Sequence, residues 1–129
     1  MTPNIQPAQV RLIRLALLSG IVLFGLVALF IAGQADHGVT LNADGPLAGF
    51  VALLVILAAG VVMLFRRRID GAASYEERAR MLIIAYAACE LAALVGAVHL
   101  LMTGGMLPYI AGVVVYLFAL VLLPVEAPA

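Results

Sequence analysis

Glu90 is the one acidic residue that falls inside an apolar stretch of this 129-residue chain. It lies ten residues beyond Arg80, about 15 Å along a helix at roughly 1.5 Å per residue. That is close to the middle of a bilayer's hydrocarbon. A charge at that depth costs at least about 2.5–3.5 kcal/mol, so such a carboxyl keeps away from lipid and favours its neutral form. Tyr86 sits one turn earlier on the same helical face, and Tyr116 lies at middle depth in the last apolar stretch. Both phenols are candidate partners for the carboxyl. Two chemistries fit this set: a protonated carboxyl hydrogen-bonded between helices, or a site that binds a proton or a cation.

The other reactive side chains exclude more than they suggest. His99 follows Glu90 by nine residues, which turns it to the opposite helix face about 13.5 Å further along. A haem would need a second axial ligand, and His37 is the only other histidine. An interhelical hydrogen bond is the expectation for His99. Cys89 is the single cysteine, so no internal disulfide forms, and a small core residue is expected there. There is no CxxC, no HExxH and no Cys/His cluster, so no protein-built metal site is expected. The chain has no lysine, which removes Schiff-base and phosphate-loop lysines. No nucleophile–base pair is visible, so the chain is not expected to be an enzyme or to carry a cofactor. Basic residues do not alternate with aromatics, so nucleic acid is not an expected partner.

The elements that must position these groups follow from composition. Hydrophobic residues make up 66% of the chain and charged residues 11%, and mean hydropathy is +1.20. Soluble domains are about half apolar and about a quarter charged, and disorder needs the opposite bias. The fold class expected is therefore all-α: a polytopic membrane protein forming one domain over 1–129. Its four transmembrane helices are expected over about 12–32, 46–65, 76–103 and 107–123. The stretches are too continuous for strands and lack the alternation of a membrane barrel. Pro46 suits the first turn of the second helix, and Pro124 stops the fourth. The first stretch is longer than a signal-peptide core and lacks a small-x-small cleavage site, so it is expected to be retained.

All seven basic residues, Arg11, Arg14, Arg66, Arg67, Arg68, Arg78 and Arg80, fall before the first helix or between the second and third. The positive-inside rule then puts both termini and the Arg66–Arg80 loop in the cytoplasm. Arg66, Arg67 and Arg68 read as an anchor at the lipid headgroups. Ser74 followed by Glu76 and Glu77 reads as the N-cap of the third helix, with Arg80 in helical reach of the two glutamates. Shifting the chain by 71 residues lays Leu23–Val27 on Leu94–Val98, Gly33 on Gly104 and Ser19 on Glu90. Two repeated helical hairpins are a possible origin of that match.

Small residues flank the third helix on two faces. Ala93 and Ala97 stand beside Glu90, while Ala88 and Ala92 share the face of His99. Small residues let another backbone come close, so a partner helix is expected against Ala93 and Ala97. The stretch Arg80–His99, RMLIIAYAACELAALVGAVH, resembles the carboxylate-bearing helix of the ATP synthase ring proteolipid. That resemblance implies Glu90 as a proton-binding position. The chain departs from that family in its longer central loop, in lacking a glycine repeat on the second helix, and in having two further helices. As a whole it is similar to small four-helix bacterial membrane proteins of unknown function, in which an Arg-led helix with a mid-span Glu ends near Thr-Gly, as Thr103-Gly104 does here. This implies a multi-pass protein of the bacterial inner (cytoplasmic) membrane. The expected function is non-enzymatic: a homo-oligomer or a small subunit among other membrane subunits, surrounded by lipid bilayer. The alternative is a proton- or cation-translocating unit built on Glu90.

Overall fold

The computed structural model describes residues 5–126; residues 1–4 and 127–129 of the expected domain lie outside the described residues. Four helices follow one another: α1 Pro7–Gln34, α2 Pro46–Arg68, α3 Tyr75–Thr103 and α4 Leu107–Leu122. A single 3-10 turn, Ile69–Gly71, continues directly from α2. α1, α2 and α3 each carry an apolar stretch long enough to cross a membrane. α4 has 16 residues, about 24 Å at 1.5 Å per residue, and is the shorter partner.

Local chemistry explains where the helices begin and end. α1 starts earlier than expected, because Pro7 suits the first turn and the Gln6 amide donates to Gln9 Oε1 at 2.9 Å. Arg11 and Arg14 therefore ride on α1 instead of preceding it. α2 runs through Arg66, Arg67 and Arg68, cations that suit the negative end of a helix dipole. Ser74 caps α3 as expected, its Oγ accepting from the Glu77 amide at 3.2 Å. α3 ends at Gly104, whose φ of 78° is left-handed and so favours a residue without Cβ.

α3 is the central helix. It packs against each of the other three, and α2 also packs on α4. Twelve α3 residues are buried, against five or fewer in any other helix. The closest approach is to α4. A Cβ added to Gly96 would lie 2.7 Å from Pro108 O, and one added to Gly112 would lie 2.6 Å from the Ala93 amide nitrogen. Backbone meets backbone here, which only glycine permits. α1 packs on α3 and not on α2, whereas α3 and α4 pack on each other. The two hairpins thus differ in packing despite the internal sequence match.

The arginine-bearing end of the bundle is closed by a clamp on the segment after α4. Four successive carbonyls accept from four side chains: Leu122 O from Arg66 at 2.7 Å, Leu123 O from the Tyr86 hydroxyl, Pro124 O from Arg78 at 2.8 Å, and Val125 O from the Tyr75 hydroxyl at 3.1 Å. Glu126 pairs with Arg11. The last carbonyls of a helix have no partner within the helix, so a short helix ending in an apolar setting needs outside donors. Arg78 is 4% exposed. It also faces Asp70 at 3.5 Å, and its Nε has no partner.

The opposite end is joined by backbone pairing. Thr40 N donates to Gly104 O at 2.8 Å and Met106 N donates to Thr40 O at 2.9 Å, which ties the α1–α2 connection to the α3–α4 turn. Between the two ends, the outer faces are apolar. Leu12 is 68% exposed, Phe30 67% and Val121 75%. A surface of this kind is satisfied by hydrocarbon. The chain is built as a small integral membrane protein.

Candidate functional site

Glu90 lies on the α1 side of α3, partly buried, with Oε1 3.5 Å from where a Cβ on Gly20 would stand. Gly20 is six residues beyond Arg14 on α1, about 9 Å along the helix. The carboxyl therefore sits inside the apolar layer, towards the arginine-bearing half.

The phenols expected to hold it are engaged elsewhere. The Tyr86 hydroxyl donates to Leu123 O, and the Tyr116 hydroxyl donates to Arg14 O at 2.8 Å. The two rings lie 6.2 Å apart, tilted by 51°. A phenol in an apolar interior must give its proton to some acceptor. On α1, a helix carbonyl already in an i→i+4 bond keeps a second lone pair for it, and at the end of α4 Leu123 O lies past the last helical residue and lacks a helical donor. The expected Glu90–phenol hydrogen bond is corrected accordingly: among the described residues, neither the Glu90 carboxyl nor the Ser19 hydroxyl has a hydrogen-bond partner. The side-chain hydrogen bonds within the apolar layer belong to Tyr86, Tyr109 and Tyr116.

Tyr109 was not legible as a site residue. Its hydroxyl donates to Ile21 O at 2.9 Å and occupies the space that a side chain at Gly25 would need. Tyr109 and Tyr116 are seven residues apart on α4, and their acceptors Ile21 and Arg14 are seven apart on α1. The two helices run in opposite directions, so the phenols form two parallel rungs from α4 to α1. The seven-residue spacing and Gly25 were the available signal. The seam between α1 and α4 is thus bridged by side chains, and the Glu90 carboxyl lies against α1 at the level of Gly20.

The small residues of α3 are used within the bundle. Ala92, Ala93 and Ala97 are fully buried, and Ala88 packs half-buried against the main core. Gly112 of α4 covers Ala93, while Ala97 belongs to a cluster with Ala28, Ala32 and Leu100. The expectation of a partner helix against Ala93 and Ala97 is overturned, because α4 and α1 already occupy those faces.

His99 is fully buried, as a polar residue facing protein should be. Its partners are not another helix but the connections: Nδ1 lies 3.1 Å from Gly105 O and Nε2 3.0 Å from Asp44 O. A neutral ring donates to one of these and an imidazolium to both. The Thr103 hydroxyl donates to His99 O at 2.9 Å and accepts from Gly105 N at 3.1 Å. His99 therefore fastens the loop end of the bundle. The Arg66 guanidinium donates to Leu122 O at the end of α4 while the residue stays exposed. Arg67 and Arg68 remain exposed.

No family model, curated protein or solved structure matches this chain. A groove of about 270 Å³ between α2 and α4, lined by residues such as Val51, Val55, Pro108 and Ala111, holds no titratable group. Among the described residues no cluster of three or more His, Cys, Asp or Glu could hold a metal ion. Glu90, beside Gly20 of α1, is thus the candidate chemical centre.

Proposed function

We propose that this protein is a non-enzymatic subunit of a membrane assembly, either of its own copies or with other membrane chains, in the inner membrane of a bacterium. The observation that carries the reading is Glu90: a carboxyl within the apolar layer, partly exposed, with no partner among the described residues. Leaving such a group to lipid is costly, and a neighbouring chain that supplies a donor or acceptor removes the cost. The arginine-bearing end lies in the cytoplasm on this reading, together with both termini.

The test compares Glu90→Gln with Glu90→Leu. An interhelical hydrogen bond in membranes contributes about 1–2 kcal/mol. Glu90→Leu is therefore expected to weaken association by roughly ten-fold, while Glu90→Gln, which keeps shape and hydrogen bonding, associates nearly as the parent does. Quantitative mass measurement in bilayers reads both. If Glu90→Gln assembles normally yet abolishes a proton- or cation-linked activity, and a hydrophobic carbodiimide modifies Glu90 selectively, the ion-translocating alternative replaces this reading. A protein that is monomeric in bilayers and recovers no partner overturns the subunit reading.

Orientation has its own test. A cysteine at His37, in the α1–α2 connection, is expected to react with an impermeant thiol reagent added outside intact cells. One at Asp70, beside the arginines, is expected to stay unlabelled until the membrane is opened. Reversed labelling inverts the topology.

A further inference from the structure

We infer that the partner at Glu90 is a second copy of this chain, docked in parallel so that Ser19 of each copy meets Glu90 of the other. This deepens the subunit reading and rests on it. Ser19 is exposed on α1, and Glu90 Oε1 lies against Gly20, the next residue. Ser19 points about 100° away from Gly20 around the helix, so one copy presents a hydroxyl and a carboxyl at one depth on the two flanks of one α1 face, both lacking partners among the described residues.

Depth decides the symmetry. Copies inserted with the same topology are related by an axis along the membrane normal, and rotation about that axis leaves depth unchanged. Only a donor and an acceptor at equal depth can pair reciprocally across it. Ser19 and Glu90 meet that condition, and a two-fold axis makes the patch self-complementary. A protonated carboxyl and a hydroxyl can each donate and accept, so each contact satisfies both groups. The rest of the face allows close approach. Ala16 is exposed, Gly20 is half-buried with no Cβ, and α1 packs on α3 alone among the helices it could share a broad face with. Small residues at this spacing bring backbones together in membranes.

The experiment uses the full chain in native membranes, with Cys89, which is buried, replaced by alanine. Ala16→Cys, exposed on α1 one turn before Gly20, leaves Ser19 in place and is treated with a short bis-maleimide. Leu57→Cys and Phe118→Cys, exposed on α2 and α4, serve as comparison faces. The expected result is a cross-linked dimer from Ala16→Cys at several-fold the yield of either comparison site. Adding Glu90→Leu is expected to reduce that yield several-fold, whereas Glu90→Gln preserves it. Cross-linking with Glu90 intact keeps the test informative even if Glu90→Leu folds poorly. An assembly that cross-links through Leu57 or Phe118 and not through Ala16 overturns this interface and leaves the subunit reading standing. A purified assembly with a different protein and no cross-linked dimer also overturns it. A monomer that recovers no partner overturns both.

Discussion

Replacing Gly112 or Gly96 with leucine is expected to destabilise the protein by about 3 kcal/mol or more, lowering the unfolding temperature by on the order of 10 °C. A Cβ at Gly96 would lie 2.7 Å from both Pro108 O and Tyr109 Cα, and one at Gly112 would lie 2.6 Å from the Ala93 nitrogen. These neighbours are backbone, so the clash cannot be relieved by turning a side chain. α4 must move away from α3, and the movement withdraws Tyr109 and Tyr116 from their carbonyls on α1. Gly60 supplies the control. A Cβ there meets nothing within 4 Å, so Gly60→Leu is expected to be neutral or to stabilise by up to about 1 kcal/mol through helix propensity. Thermal unfolding of the three variants in mild detergent checks the contrast. Equal effects at Gly60 and Gly112 would contradict the α3–α4 contact.

Arg78→Met is expected to cost about 2–3 kcal/mol and to release residues 123–126 from the bundle. The substitution keeps much of the apolar stem but removes the charged donor to Pro124 O, and hydrogen bonds to charged groups contribute about 1.5–3 kcal/mol. The partner carbonyl is then left without its donor beside the core. The neighbouring ion pair is a lesser contribution. The Asp70 side chain is 75% exposed and lies 3.5 Å from the guanidinium, so Asp70→Asn is expected to cost no more than about 1 kcal/mol. Labelling of a cysteine placed at Val125, which is 5% exposed in the parent, reads the release directly. It is expected to rise sharply with Arg78→Met and little with Asp70→Asn. A segment that stays protected in Arg78→Met would mean that the Tyr75, Tyr86 and Arg66 contacts hold it without Arg78.

The clamp also shows what the arginine pattern does not carry. In the sequence, Arg66–Arg68 is a basic run at the end of an apolar stretch, and all three stay exposed. Which member donates to the end of the chain depends on where α4 ends in space. Arg66 reaches Leu122 O across 56 positions of chain, and no local pattern carries that information. Arg78, a charged residue between Glu77 and Ala79 in the polar first turn of α3, gives no sequence signal of burial. The same limit applies to Tyr86 and Tyr116. Their depth was legible and suggested Glu90 as a partner, but carbonyl acceptors are present on every helix and do not appear in a residue pattern.

Composition and hydropathy alone determined the helices, their order and their clustering of arginine at one end, because a bilayer's thickness and its cost for charge act on each segment separately. Ser74 as a cap, Pro46 at a helix start and Gly104 at a helix end were likewise local matters, decided by backbone groups a few residues apart. What only the tertiary structure decided is which face of each helix meets which neighbour. Four apolar helices offer no hydrophobic contrast between inward and outward faces, since lipid is as apolar as leucine. The choice falls to close glycine contacts and to donors that need an acceptor. Gly96 and Gly112 set α4 on α3, Tyr109 and Tyr116 tie it to α1, and those contacts occupy Ala93 and Ala97 while leaving Glu90 and Ser19 without partners in their own chain.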